Sequence, residues 1–216
     1  MSDTVLVVGA SRGIGLELAR QYAAAGSVVH ATTRTPDAPG ALGSIEGTVH
    51  LHRLDVRDAE HLAGLRARLE GVALDVLIHN AGVYSGSQAE LTAVNTEAPL
   101  RLADSLEGNV AAAGGALAVM SSGMGARRGR RTSALGSYAR SKAELNDGLR
   151  LRAARWADMG ITAIVVNPGW VRTDMGGSGA PLDVATSVTG IRRLIDGLTP
   201  DMGGRFWSWD GTEHPW

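Results

Sequence analysis

A tyrosine and a lysine four residues apart form a pair able to move a proton. Tyr138 and Lys142 lie in a segment of helical period, so their side chains share one helix face within reach of one ligand. A free tyrosine has a pKa of about 10, and a nearby ammonium group favours its phenolate form. We therefore expect Lys142 to lower the pKa of Tyr138, and Tyr138 to act as a general acid or base. The alternative is an ordinary amphipathic helix on which this pair carries no chemistry.

A second feature is a turn with three glycines that follows the first apolar stretch. The turn reads Gly9-Ala10-Ser11-Arg12-Gly13-Ile14-Gly15 and leads into a segment of helical period. Glycines at such a turn permit a tight bend and a close approach to a pyrophosphate, whose oxygens the free N–H groups of the helix attract. The turn therefore predicts a dinucleotide site, although glycine-rich turns also occur as plain connections.

Two arginines indicate which dinucleotide would bind. An NAD site usually has an acidic residue after the second strand, where it accepts a ribose hydroxyl. This chain has Thr32-Thr33-Arg34 there, and Arg12 lies inside the glycine turn. Guanidinium groups form charge-assisted hydrogen bonds with phosphate, so the pair predicts NADP(H) in preference to NAD(H). In the alternative, both arginines are solvated surface charges.

Short β-branched, apolar stretches alternate with longer segments of helical period along the chain. This alternation predicts an α/β, doubly wound Rossmann fold in a single domain over residues 1–216, with a seven-stranded, mostly parallel sheet and helices on both faces. The predicted strands are Thr4–Val8, Ser27–Thr33, Thr48–Asp55, Leu74–His79, Gly115–Ser121, Ile161–Asn167 and Gly204–Ser208. The predicted helices are Gly13–Ala25, Asp58–Glu70, Ser87–Ala113, Ser137–Met159 and Pro181–Asp196. Pro99 and Gly108 predict that the third helix is divided.

The composition argues against several classes of protein. A net charge of −1 gives no electrostatic attraction to nucleic acid or acidic membranes, and no apolar run approaches the roughly 20 residues that a membrane helix needs. The absence of cysteine excludes disulfides, thiolate ligands and cysteine nucleophiles. His50 and His52 would share one strand face without a third ligand, so no metal is predicted. The first residues carry no secretory signal, and the expected location is cytoplasmic.

These segments together resemble the short-chain dehydrogenase/reductase family across nearly the whole chain. The glycine turn resembles the cofactor turn of that family, and the remaining motifs occur in the family's order. They are His79-Asn80-Ala81-Gly82 for its Asn-Asn-Ala-Gly segment, Tyr138-Ala139-Arg140-Ser141-Lys142 for Tyr-x-x-x-Lys, and Asn167-Pro168-Gly169-Trp170-Val171-Arg172-Thr173 for Pro-Gly-x-x-x-Thr. The stretches Pro168–Gly177 and Asp210–Trp216 resemble the C-factor and sniffer-like carbonyl reductase branch.

The resemblance implies an activity and a role for individual residues. The activity would be NADPH-dependent hydride transfer to or from a carbonyl or alcohol carbon of a small molecule. The serine hydroxyl would orient the substrate oxygen, Asn95 would complete a water-linked proton relay, and Lys142 would also bind the nicotinamide ribose. The implied catalytic residues are Asn95, Ser122, Tyr138 and Lys142. The implied cofactor-binding residues are Gly9, Ser11, Arg12, Gly13, Ile14, Gly15, Arg34, Asp55, Val56, Asn80, Ala81, Gly82, Tyr138, Lys142, Pro168, Gly169, Val171 and Thr173.

Several positions leave alternatives open. His79 stands where the family commonly has Asn. The stretch before Tyr138 is longer than usual, so Ser121 and Ser122 both remain candidates, although Ser122 matches the family's strand-end pair better. Asp55 would either bracket the adenine ring or cap a helix, and Asn95 would either serve the relay or only shape its helix.

Other features keep both a structural and a functional interpretation. The cluster Arg127-Arg128-Gly129-Arg130-Arg131 would attract an anionic molecule or form a solvated loop, and the tryptophans at 207, 209 and 216 would close the core or line a pocket. Members of the family are often dimeric or tetrameric, so a homodimer or homotetramer also remains open. A competing function is an NADP(H)-binding regulatory or signalling protein with little turnover, since fold alone does not establish catalysis. A methyltransferase on a similar sheet would have no use for Tyr138 and Lys142.

Overall fold

Seven strands build the centre of the molecule. The computed structural model describes residues 2–127 and 136–216. Its strands are β1 (Thr4–Val8), β2 (Val28–Thr33), β3 (Val49–Arg53), β4 (Val76–His79), β5 (Ala116–Met120), β6 (Thr162–Asn167) and β7 (Phe206–Ser208). They form one sheet in the order β3-β2-β1-β4-β5-β6-β7, and every neighbouring pair is parallel. The predicted doubly wound Rossmann fold is confirmed, with a sheet that is wholly parallel.

Helices cover both faces of the sheet and bury its apolar strands. They are α1 (Gly13–Ala24), α2 (Ala59–Arg68), α3 (Gln88–Thr92), α4 (Ala98–Ala111), α5 (Ser137–Asp158) and α6 (Val184–Asp196). One core layer combines α1 and α6 with side chains such as Val7 and Ile164, and the other combines α2, α4 and α5 with side chains such as Leu77 and Val165. Strands buried on both faces need continuous apolar runs, which explains why they could be read from the sequence.

The predicted helix Ser87–Ala113 is divided, as Pro99 and Gly108 indicated. The break lies before Pro99 and is a turn of π-helix; neither Pro99 nor Gly108 ends a helix. A wide turn of π-helix, Ala93–Glu97, joins α3 to α4, and the N–H of Ala98 donates to the carbonyl oxygen of Ala93, five residues earlier. Pro99 has no N–H to donate to Asn95, its partner in a regular helix, and its ring would crowd that carbonyl. Gly108 lies inside α4 without ending it. Asn95 therefore lies in a π turn and not in a regular α-helical turn.

Two aspartates decide where helices begin. The carboxylate of Asp183 accepts from the N–H of Thr186 at 2.7 Å, so α6 starts at Val184, three residues later than the prediction of Pro181. At α2 the cap is Asp58, which accepts from Glu60 and His61. Asp55 is therefore not the cap of this helix, and one of its two interpretations is removed.

The C-terminal segment packs on both faces of the sheet edge. Trp207 and Trp209 contact the α1 and α6 core layer, whereas Trp216 contacts the opposite layer beside Phe206 and under the guanidinium of Arg150. All three tryptophans thus help to close the core. None of the helices in residues 2–127 and 136–216 combines the length and apolar character that crossing a membrane requires.

Three histidines stack across β2 and β3. The ring of His30 lies 5.0 Å from that of His50 and 5.1 Å from that of His52, and Nδ1 of His30 is hydrogen-bonded to Nε2 of His52 at 2.8 Å. His30 and His52 are buried, and burial lowers the pKa of His30 and lowers that of His52 to about 4. Within the described part of the chain, no group of three or more histidine or acidic side chains is arranged to hold a metal ion. The stack is held by packing and one hydrogen bond.

The buried histidines make stability depend on pH. Because the pKa of His52 falls from 6.5 to about 4 on folding, the unfolded chain takes up its proton first as the pH drops. We expect the free energy of unfolding to decrease between about pH 6.5 and 4, by at most about 3 kcal/mol from this residue. Urea unfolding at several pH values should show a shallower loss for His52→Gln between pH 7 and 5 than for the wild type. Parallel curves for the two proteins would contradict the assignment.

Candidate active site

A deep cleft opens along the carboxyl ends of the strands. Its volume is about 1220 Å³, and its walls come from the segments that follow β1 to β6. It crosses the boundary between β1 and β4, where the strand order reverses and where ligands of such sheets bind. All the predicted site residues line it except Gly15 and Asn95. Those that do are Gly9, Ser11, Arg12, Gly13, Ile14, Arg34, Asp55, Val56, Asn80, Ala81, Gly82, Ser122, Tyr138, Lys142, Pro168, Gly169, Val171 and Thr173.

The glycine turn forms a cradle because side chains are excluded from it. A Cβ atom on Gly9 would lie 2.8 Å from the Cα atom of Ala81, and one on Gly15 would lie 2.1 Å from the carbonyl oxygen of Gly9. Asn80 ties the two segments together by donating from Nδ2 to the carbonyl oxygen of Gly9 at 2.9 Å. Helix α1 starts beside the cleft without a side-chain cap or an acidic residue in its first turn. Its first N–H groups therefore remain available for an anion such as a pyrophosphate.

The two arginines predicted to bind phosphate both line the cleft, but one of them has a partner within the protein. Arg34 is exposed at the end of β2, as its position in the sequence predicted. Arg12 extends from the glycine turn to Asp174, with Nη1 at 2.6 Å from Oδ2. Asp174 was not among the predicted site residues, and nothing in its local pattern distinguishes it from a solvated acid.

Asp55 lines the cleft, as its predicted place beside the adenine requires, and it also binds a neighbouring residue. Its carboxylate accepts from the backbone N–H and the guanidinium of Arg57. The hydrogen bonds from Arg57 lower the pKa of Asp55 to about 2. Arg57 also lines the cleft and was missed by the sequence analysis, because its role depends on this turn after β3.

Tyr138 and Ser122 come together at the other end of the cleft. Tyr138 lies at the start of α5 and Ser122 directly after β5, and both residues line the cleft. Burial raises the pKa of Tyr138, and the Ser122 hydrogen bond offsets part of that rise. Tyr84 packs against Tyr138, with ring centroids 4.8 Å apart. The tyrosine is thus a protonated, oriented hydroxyl at neutral pH.

Lys142 does not lower the pKa of Tyr138 in this structure, and that part of the prediction is wrong. The lysine is buried one turn along α5, and its Nζ donates to the carbonyl oxygen of Met120 at 2.9 Å. Burial lowers the pKa of Lys142 to about 8, so the ammonium is itself disfavoured. Helical spacing placed both residues on one face, but the backbone carbonyl that holds the ammonium could not be found from spacing.

Two serines follow β5, and their hydroxyl groups point to different partners. Ser121 is buried and donates to Oδ1 of Asn146 at 2.6 Å, in the direction of α5. Ser122 is half-buried and is the serine that contacts the hydroxyl of Tyr138. The geometry thus favours Ser122, as the position in the motif did.

Asn95 lies behind the cleft, where it holds the surrounding chain together. Its Oδ1 accepts from the N–H of Val83 at 2.9 Å, and its Nδ2 donates to the carbonyl oxygen of Val83 at 2.8 Å and to Oγ of Ser141 at 3.1 Å. The residue is fully buried. Its side chain is therefore occupied with positioning, and its backbone carbonyl cannot accept a hydrogen bond from Pro99, which has no N–H.

The loop after β6 is organised by a residue that the sequence analysis quoted but did not select. Oδ1 of Asn167 accepts from the N–H of Gly123 at 3.1 Å and from the N–H of Gly169 at 3.2 Å. It thereby links the turn that carries Ser122 to the Pro168-Gly169 segment. A position at the last residue of a strand was the available signal, because such residues face the carboxyl edge of the sheet.

His79, which stands where the family commonly has Asn, is accommodated in the core of the protein. It is buried at the end of β4 with no hydrogen-bond partner at Nε2, and burial together with the charge of Lys142 lowers its pKa to about 3. A neutral imidazole therefore stands at this position, whereas Asn80, Ala81 and Gly82 line the cleft as predicted.

The rim near Tyr138 is apolar. Of the five large apolar side chains exposed within residues 2–127 and 136–216, four line the cleft, namely Tyr84, Met124, Trp170 and Met175. Clusters of this kind mark binding sites more often than scattered single residues do. The arginine cluster from Arg127 to Arg131 follows nearby in sequence; Arg127 forms an ion pair with Asp147, and Arg128, Arg130 and Arg131 lie outside the described residues.

Comparison with known proteins identifies the family. Residues 3–181 match the sequence model described as short chain dehydrogenase, and the chain belongs to this family of oxidoreductases. It is 36% identical over 154 residues to C-signal of Myxococcus xanthus, which covers 66% of this chain and 93% of that protein. Carbonyl reductase Sniffer of D. melanogaster aligns over 100% of both chains with a TM-score of 0.89 and 28% identity. An NADPH-bound carbonyl reductase from chicken fatty liver aligns over 100% of this chain and 99% of its own with a TM-score of 0.87 and 29% identity.

These similarities confirm both the family and the branch that the motifs predicted.

The close approach at Gly9 can be tested separately from its backbone conformation. Gly9 and Gly26 both have positive φ angles, of 81° and 87°, but a Cβ on Gly26 would meet nothing within 4 Å. Gly26→Ala should cost about 1–2 kcal/mol of unfolding free energy from strain alone. Gly9→Ala should cost about 1–3 kcal/mol more, because Ala81 must move. Urea unfolding of the two variants measures the difference, and equal losses would show that the contact with Ala81 is unimportant.

Proposed function

We propose that this protein is an NADPH-dependent carbonyl reductase that also runs as an alcohol dehydrogenase in reverse, with Tyr138 as the proton donor. The observation that carries the proposal is the pair of Tyr138 and Ser122 in the lining of one cleft, with Lys142 one helical turn along α5 from Tyr138. The pair lies in the same cleft as the glycine cradle of α1. A dinucleotide bound along that cleft would bring its reactive end towards the hydroxyl groups.

The cleft suits the cofactor at both of its ends. The uncapped start of α1 with Gly13 and Ile14 would hold the pyrophosphate, and Arg34 with Arg12 would hold the 2′-phosphate. Asp55 and Val56 would flank the adenine, and the segment from Asn80 to Gly82 would flank a ribose. Pro168, Gly169, Val171 and Thr173, together with Lys142, would line the nicotinamide end. The NADPH-bound carbonyl reductase described above supports NADP(H) as the dinucleotide.

The residues at the reactive end would handle the proton of the reaction. When bound, NADPH supplies the hydride that reduces the carbonyl carbon. Ser122 donates a hydrogen bond to the substrate oxygen, and Tyr138 protonates that oxygen as negative charge develops on it. The raised pKa of Tyr138 keeps its proton in place at neutral pH, which supports action as an acid in the reducing direction.

Lys142 and Asn95 would support this step from behind. Lys142 would bind the ribose at the nicotinamide end of the cleft. The side chain of Asn95 positions Val83 and Ser141, and its backbone carbonyl would hold the water through which the tyrosine is reprotonated. Asn95 is thus a positioning residue in this proposal. The apolar rim suits a carbonyl compound with apolar substituents.

One similarity favours a second candidate function. The match to a protein named C-signal supports a regulatory or signalling role, in which NADP(H) binds with little turnover. The two functions differ in whether the tyrosine hydroxyl is used chemically, because binding alone needs no proton transfer. Screening NADPH oxidation with ketones, aldehydes and quinones separates them.

The choice of cofactor can be tested at Arg34. We expect NADPH to bind more tightly than NADH, because two guanidinium groups are available for the 2′-phosphate and no acid follows β2. Arg34→Asp should weaken NADPH binding about tenfold or more while leaving NADH nearly unchanged, and the loss should shrink at high salt. Arg66→Asp makes the same charge change on α2 outside the cleft and serves as the control. Fluorescence titration measures the dissociation constants of the three proteins for both cofactors, and equal wild-type affinities would refute the preference.

The role of Tyr138 can be tested by removing one oxygen atom. Tyr138→Phe should lower the reduction rate by about two to four powers of ten with little change in NADPH affinity, because the ring and its packing remain. Lys142→Ala should reduce both rate and affinity. Tyr22→Phe removes a buried hydroxyl without a partner on α1 and should retain full activity. A Tyr138→Phe protein with near wild-type turnover would rule out the mechanism.

A further inference from the structure

The ion pair between Arg12 and Asp174 joins two walls of the cleft. Arg12 belongs to the glycine turn before α1, and Asp174 belongs to the loop after β6. Their side chains are 73% and 74% exposed and both line the cleft. An exposed pair of this kind contributes little to stability, because water and salt screen the attraction. A ligand that binds the same guanidinium group must nevertheless displace the carboxylate of Asp174 from it.

The loop that carries Asp174 is internally fixed, so the carboxylate has little freedom to leave. The N–H of Gly177 donates to the carbonyl oxygen of Thr173 at 2.8 Å, and the N–H of Gly176 donates to Oγ1 of Thr173 at 3.1 Å. Trp170 closes the loop by donating from Nε1 to the carbonyl oxygen of Gly176 at 2.8 Å. Arg12, by contrast, has a long exposed side chain with rotatable bonds. When the pair separates, Arg12 is the partner that moves.

We propose that Asp174 is a specificity-determining residue that competes with the cofactor's 2′-phosphate for Arg12. The inference rests on the proposed NADP(H) function. The free protein holds Arg12 against Asp174, and a 2′-phosphate can recruit that guanidinium only after the ion pair is broken. NADH has no phosphate at this position and gains nothing from releasing Arg12. Asp174 therefore reduces the preference for NADPH that Arg12 and Arg34 create.

The charge of Asp174 acts in the same direction. A carboxylate that lines an anion-binding cleft repels any phosphate within about one Debye length, roughly 8–10 Å at about 0.1–0.15 M salt. That repulsion applies to the pyrophosphate of both cofactors and to the 2′-phosphate of NADPH, whereas competition requires the guanidinium of Arg12. The two effects separate when Asp174 is replaced in the presence and in the absence of Arg12.

The experiment is a double-mutant cycle read by cofactor binding. Dissociation constants for NADPH and NADH are measured by fluorescence titration for the wild type, Asp174→Asn, Arg12→Met and the double variant. We expect Asp174→Asn to bind NADPH about threefold more tightly and to raise the ratio of NADH to NADPH dissociation constants. In the Arg12→Met background the same change should raise that ratio clearly less, because only the direct repulsion remains. Both effects should diminish in 0.5 M salt, which shortens the Debye length to a few ångströms.

A matched control removes the same charge elsewhere. Asp158 ends α5, about 30 Å along the helix from Tyr138, and lies outside the cleft. Asp158→Asn should leave both constants unchanged. Circular dichroism checks that each variant is folded, and Asp174→Ser repeats the test with a side chain too short to reach Arg12.

The outcomes distinguish this inference from the function on which it rests. A wild type without preference for NADPH would overturn the cofactor assignment and this inference together. A wild type that prefers NADPH, with an unchanged ratio in Asp174→Asn and Asp174→Ser, would overturn only the role of Asp174. An equal gain in the presence and absence of Arg12 would also overturn it, because the effect would then be general repulsion.

Discussion

The structure depends on the close packing of the glycine turn against the segment after β4. The two backbones approach so closely that no side chain fits between them. Gly9 approaches Ala81 so closely that a single methyl group would collide with the backbone, and Gly15 does the same against Gly9 itself. This contact brings the start of α1 to the boundary where the strand order reverses. Because the glycine turn packs closely against the segment after β4, the space at the carboxyl ends of the strands stays open. This space is the cleft. Asn80 secures the arrangement with one hydrogen bond that water would otherwise satisfy.

Helix α5 connects the reactive end of the cleft to the core. Tyr138 and Lys142 project from its first turns, whereas Trp156 near its end is completely buried and donates from Nε1 to Glu107 at 2.9 Å. A helix anchored in this way cannot rotate without losing a large buried ring, so the tyrosine hydroxyl stays aligned with Ser122. Burial of an ammonium group is costly, and the single carbonyl of Met120 offsets only part of that cost. The lowered pKa of Lys142 expresses the remainder.

The sequence predicted the strands well because most of them, such as β1 and β4, are buried apolar runs with a turn at the end. Positions that directly follow strands, such as Asn80, Ser122 and Pro168, were found for the same reason, since parallel strands deliver them to one edge. The ion pair of Arg12 with Asp174 could not be found, because its partners are 162 residues apart and no sequence pattern connects them. The pKa of Tyr138 was misjudged because spacing shows which groups share a face but not how deeply they are buried. The start of α6 was missed because two apolar residues precede the aspartate that caps it.

The π turn before α4 acts as a one-residue insertion in the helix, which changes the direction that α3 faces relative to α4. In a regular helix each residue turns the chain by about 100°, so one additional residue rotates everything before it relative to everything after it. Residues of α4 such as Leu102 and Leu106 keep their place in the core, while α3 faces a different direction from the one an unbroken helix would give it. Removing one residue between Ala93 and Glu97 would restore regular winding and turn Asn95 away from Val83. The position of the cleft wall near Tyr84 thus depends on the π turn between α3 and α4.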